Sequence, residues 1–66
     1  MNHNVTIEYT NWRRERGTRV IRPRRIAFEN SRWHPETRWL LEAIDVEKDE
    51  IRESAMKDIH SWTVVG

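Results

Sequence analysis

Apolar and polar residues alternate from Val5 to Thr10, with Val5, Ile7 and Tyr9 on one face of an extended chain and Thr6, Glu8 and Thr10 on the other. A period of two predicts a half-buried strand, because successive strand side chains point to opposite faces. Asn11 to Gly17 then reads as a turn. Asn tolerates left-handed backbone there, and Gly17 is expected to supply the positive φ. Across the turn, Thr18 to Arg22 resumes the alternation, placing Arg19 and Ile21 on one face and Val20 and Arg22 on the other. Pro23 has no N–H for a ladder, so it is expected to end or bend that strand, or to sit at an edge.

Ile26-Ala27-Phe28 predicts a short third strand, and the polar run from Glu29 to Thr37, broken by His34-Pro35, predicts an exposed loop. Trp39 to Val46 is the fourth strand. Trp39, Leu41, Ala43 and Asp45 share one of its faces and Leu40, Glu42, Ile44 and Val46 the other, and apolar residues on both faces make it central. Glu47 to Glu50 is a charged turn, and Ile51 to Met56 the fifth strand. The alternation fails at Lys57-Asp58-Ile59-His60, which suggests a single helical turn between Ala55 and His60. Ser61 to Gly66 either adds an edge strand or frays. Five short strands with tight connections and almost no helical periodicity point to an all-β fold, a small five-stranded twisted barrel.

A chain of 66 residues has room for one domain, and at that size only about 60% of the unfolded surface is buried on folding. Stability is therefore expected to be modest. There is no cysteine, so no disulfide or thiolate metal site staples the fold. Neither a signal-peptide pattern nor a run of roughly 20 apolar residues is present, which makes a cytoplasmic protein without membrane contact the expectation. The net charge of +1 hides an asymmetry: basic residues dominate residues 1–38 and acids dominate 39–66. From Arg13 to Arg25, the arginines 13, 14, 16, 19, 22, 24 and 25 face only Glu15. An arginine cluster suits phosphate, because the planar guanidinium fork matches its oxygens and also stacks on rings. The same cluster could instead pair with the acids of the second half.

Several short elements occur together in a definite order: Ile7-Glu8-Tyr9, Arg19-x-Ile21-x-Pro23, Ile26, Trp39-Leu40-Leu41-Glu42-Ala43, then Arg52 and Lys57-Asp58-Ile59. In that order and spacing, over roughly residues 5 to 59, the chain resembles the WYL-domain family, here as a stand-alone version. The resemblance implies an Sm-like barrel that senses a ligand, often a nucleotide or single-stranded nucleic acid, through basic residues. By matching position these are Arg19 and Arg52, with Tyr9 as a weaker correspondence. Two positions depart from the pattern. Leu40 stands where the name-giving triplet has Tyr, and Ser54 where an aromatic commonly follows Arg52. Where relatives stack those aromatics on a ligand, this chain is expected to differ in ligand or affinity. Such modules usually follow a winged helix, and the four residues before the first strand cannot form one, so recognition of a DNA major groove by a helix is not expected.

The residues then divide by the work each could do. Arg19 and Arg52 are the leading ligand-binding candidates, although Arg19, sharing its face with Ile21, could equally pair with an acid such as Asp58 or Glu42. Arg13, Arg14 and Arg16, on the first turn, read as solvated, and any phosphate contact there, Arg13's included, would be secondary and salt-sensitive. Trp39 reads as core. Trp12 and Trp33 lie in loops beside Arg13 and Arg32, where an aromatic could stack on a base; either, Trp33 more readily, could instead cover one open end of the barrel. Trp62 would cover an edge or a subunit contact. His3, His34 and His60 lack zinc-site spacing, so no metal and no cofactor are expected. Ser54, Asp58 and His60 supply the residue types of a triad, but a triad requires geometry, and no enzyme is expected. The reading is a binding module for an anionic nucleotide-type ligand or a short single strand, with Arg19, Arg52, Tyr9, Trp33 and Arg13 at its site. It would act as a sensor or a sequestering protein in bacterial or phage defence signalling. The alternative is a protein-interaction or oligomerisation module without a small ligand, and a homo-oligomer is expected in either case, because a chain this small cannot protect all its strand edges.

Overall fold

A computed structural model describes residues 3–32 and 35–65. Trp33 and His34, and with Trp33 one expected ligand residue, lie outside the described residues. The chain is all-β: β1 (Val5–Thr10), β2 (Arg16–Glu29), β3 (Arg38–Asp45), β4 (Glu50–Ala55) and β5 (Ile59–Val64), with one 3-10 turn at Met56–Asp58 between the last two. The strands form one antiparallel sheet in the order β4-β3-β2-β1-β5. β4 and β5 are its edges, and no ladder joins them among the described residues. The fold is thus an open, twisted sheet and not a closed barrel.

The sheet bends along β2. Its 14 residues pair with β1 from Arg16 to Ile21 and with β3 from Ile21 to Glu29, so one strand belongs to both halves of the sheet. The register shifts between Pro23 and Arg25. A bulge there bends the strand and gives the missing proline N–H a place where the ladder is already interrupted. Pro23 therefore bends the strand without ending it, and the two short strands expected at 18–22 and 26–28 are one. Bending brings Val5 and Ile7 of β1 against Ile21, Leu41 and Ala43, and the partly buried Tyr9, Met56 and Ile59 pack against this cluster. Ser61 to Val64 is part of a true edge strand.

Two further residues differ from expectation. Gly17 lies within β2 opposite Tyr9, and the positive φ of the first turn falls on Arg14 at 63°. What requires glycine at position 17 is the Tyr9 ring: a Cβ would sit 3.2 Å from the phenol oxygen and 3.3 Å from Cζ. Asn11 makes the turn possible, its Oδ1 accepting the N–H groups of Arg13 (2.8 Å) and Glu15 (3.0 Å). Trp39 does share a face with the buried Leu41 and Ala43, but it is exposed and packs on Phe28. It lies one residue inside the start of β3, beyond the reach of the central cluster.

Candidate functional site

The site is built on the concave face, where the alternation of three neighbouring strands puts polar residues in register. Arg19 is opposite Ile7, Ile21 is opposite Asp45, and Ala43 is opposite Arg52. Arg19, Asp45 and Arg52 therefore emerge on the side that carries the core, at the end marked by the β1–β2 and β3–β4 turns. Asp45 is only 2% exposed. Burying a carboxylate is costly unless it is paired and hydrogen-bonded. Both oxygens are used: Oδ2 lies 3.2 Å from Arg19 Nε, and Oδ1 accepts the N–H groups of Glu47 (3.1 Å) and Lys48 (3.2 Å). One side chain thus shapes the β3–β4 turn and neutralises Arg19. Asp49 completes that turn with a φ of 53°.

Arg19 in turn holds Tyr9. Its guanidinium stacks on the ring at 4.7 Å, and its Nη2 donates to the phenol oxygen at 3.1 Å. Gly17 leaves the space in which that ring lies. Arg52 is held differently. Its Nη2 is 3.0 Å from Glu50 Oε2 in an ion pair exposed to solvent on both sides, while its Nε is buried without an acceptor among the described residues. A buried donor left unmade costs about 1–3 kcal/mol.

Tyr9, Arg19 and Arg52 all line one cleft of about 620 Å³, together with Trp12, Lys48 and Ile51. Three of the five residues expected at the site are therefore brought together. Arg13 stands outside the lining, stacked on Trp12 at 4.7 Å, and Trp33 is not described. Lys48 has no ion-pair partner among the described residues, whereas Arg24 and Arg25 both face Glu42 and Arg16 pairs with Glu8. The arginine cluster is thus partly consumed in pairing: Arg19, Arg24 and Arg25 meet acids of the second half. Asp58 is taken by Lys57 (2.8 Å) and His60 by Thr10, so Ser54, Asp58 and His60 form no relay.

Lys48 and Asp45 are the site residues that the sequence reading left unassigned. Asp45 did carry a signal, being an acid on the apolar face of a central strand. Among the described residues no cluster of metal-binding side chains occurs, and no helix is long and apolar enough to cross a membrane. Comparisons of the chain with protein-family models, with curated proteins and with solved structures found no match.

Proposed function

We propose that the chain is a WYL-like binding module whose cleft takes an anionic, nucleotide-type ligand. The observation that carries this reading is the meeting of Arg19, Lys48 and Arg52 with Tyr9 and Trp12 around a single cleft. Trp12 is 84% exposed, an uncommon position for so large an apolar ring. With Arg13 over one face, its other face is free to stack on a base, which contributes about 1–3 kcal/mol. Arg52 and Lys48 engage the phosphate. Arg52 gives up only a solvent-exposed ion pair, of the kind that contributes about 0–1 kcal/mol, and gains an acceptor for a fork that now has an unused N–H. Arg19 is committed to Asp45 and Tyr9, so it fixes the floor and the local field.

The test is calorimetric titration with linear and cyclic mononucleotides and short single strands. Arg52→Ala removes a charge-assisted bond and should weaken binding about 10- to 100-fold without unfolding the chain. Trp12→Ala should lower affinity for every base alike, because stacking is indifferent to sequence. Wild-type protein that binds none of these ligands, or an Arg52→Ala variant that binds as wild type, refutes the reading.

A further inference from the structure

The two open edges of the sheet are guarded unequally. β4 carries Glu50, Arg52 and Glu53, and charged side chains on an edge discourage another strand from adding to it. β5, Ile59-His60-Ser61-Trp62-Thr63-Val64, has no Lys, Arg, Asp, Glu or Pro. Its free hydrogen-bonding groups can be identified from the ladder. Val65 donates its N–H to the Asn4 carbonyl at 2.9 Å, and Val64 is opposite Val5. In an antiparallel ladder hydrogen-bonded and non-hydrogen-bonded pairs alternate. The N–H and C=O of Val64, and likewise those of Trp62, therefore point away from β1, where no strand pairs with them among the described residues.

Apolar surface runs up to this edge. Trp62 and Ile26 line a shallow cavity of about 360 Å³ with Met56 and Ile59. Phe28, two residues along the same face from Ile26, meets Trp39 with ring centroids 5.3 Å apart. Trp39, Phe28 and Trp62 are 57%, 59% and 39% exposed. At 150–250 Å² per aromatic side chain these three leave roughly 300 Å² of apolar area in water. Ile26 and Val64, both exposed, extend it toward the upper end of what a monomer shows.

We propose that β5 is the interface of a two-fold homodimer, in which the β5 strands of two copies pair antiparallel and join the sheets, covering Trp62 and the apolar strip that ends at Trp39. A two-fold axis sets a strand antiparallel to its own copy, and with the axis at Thr63 the outward groups of Trp62 in one copy meet those of Val64 in the other. Charge favours a second copy as the occupant. The strand itself carries no formal charge, and a net charge of +1 gives little repulsion between copies. Strand pairing added to the strip reaches the small end of specific interfaces, so the dimer should dissociate at micromolar concentration. None of these residues lines the Arg52 cleft, and the dimer stands or falls independently of the ligand.

Sedimentation velocity over a dilution series, from micromolar to submillimolar, tests the assignment on the full chain without ligand. Wild type should be a dimer that dissociates on dilution. Val64→Pro should be monomeric throughout with an unchanged β-type circular dichroism spectrum, because the amide it loses is not used by the β1–β5 ladder. Should that variant fail to fold, Val64→Lys provides the second arm, and it too should be monomeric. A wild type that stays monomeric across the series overturns the proposal, even if it captures an extended apolar peptide. So does a folded Val64→Pro, or a Val64→Lys, that dimerises as tightly as wild type.

Discussion

Asp45→Ala tests the central structural claim, that one buried carboxylate holds Arg19 and the β3–β4 turn together. The substitution strips acceptors from the Glu47 and Lys48 N–H groups and leaves Arg19, 24% exposed, without its counter-charge. Removing one partner of a buried pair costs about 3–5 kcal/mol. Arg19 keeps some solvent and its contact with Tyr9, and the freed turn amides lie near water, so a loss of about 3 kcal/mol is expected. Stability of about 0.05–0.15 kcal/mol per residue gives this chain roughly 3–10 kcal/mol in total, and the substitution removes a third or more of it. At about 4–8 °C per kcal/mol the melting temperature should fall by some 12–24 °C. Asp45→Asn keeps an oxygen for the turn and loses the charge, and should fall between. A double-mutant cycle with Arg19→Met, read by urea unfolding, should return a coupling of about 1.5–3 kcal/mol. Midpoints for Asp45→Ala and wild type that coincide would refute the argument, and a coupling near zero would show that the turn, not the ion pair, carries the cost.

Two further substitutions probe the elements that seat the cleft. Gly17→Ala places a methyl 3.2–3.4 Å from a Tyr9 ring pinned by Arg19; overpacking at about 1–3 kcal/mol outweighs the roughly 0.5–1 kcal/mol gained by removing a strand glycine. A melting temperature that falls by several degrees is expected, and a rise would show that Tyr9 yields freely. Asn11→Ala removes an acceptor used by two backbone donors and should cost about 1–2 kcal/mol, by analogy with helix N-caps, with a matching shift of the urea midpoint; no shift would mean that water replaces the side chain.

The strand at 5–10 was legible because its period of two is uninterrupted, the one at 39–45 because a short run with apolar residues on both faces marks a central strand, and the 3-10 turn because the alternation breaks at Lys57. Strand β2 was not, for a physical reason: Pro23 is a stop signal only when its missing N–H interrupts a ladder, and at a bulge there is no bond to lose. Gly17 was read as a backbone device because a glycine near Asn usually is one. Its actual cause, an aromatic ring lying on it from the neighbouring strand, is a tertiary contact absent from local sequence. Trp39 illustrates the limit of face assignment, since alternation specifies which side a residue takes but not how far along the strand the core extends. At the site, the faces of Tyr9 and Arg19 followed from alternation and Arg52 was placed on its strand without a face, but the meeting of the three in one cleft depends on the bend at Pro23 and on a register that only the folded sheet defines.

Arg19 and Arg52 look equivalent in the sequence, as arginines on strand faces at the matching positions of one family pattern. Their surroundings separate them. Arg19 is the more buried of the two and spends its fork on a buried carboxylate and a phenol oxygen; Arg52 is half-buried, meets Glu50 in a weak surface pair, and holds a buried N–H with no acceptor among the described residues. An interaction with a fully satisfied partner gains little by exchange, because each bond offered to a ligand must first be taken from the protein. An exposed pair is already in competition with water, so an anion of better geometry replaces it at small cost. Substitutions at Arg19 should therefore be read mainly in melting curves and those at Arg52 mainly in titrations. The link between them is Asp45, which ties Arg19 to the turn that carries Lys48, so under the proposed reading loosening Arg19 reaches a ligand through the positions of that lysine and of Tyr9, which Arg19 also holds.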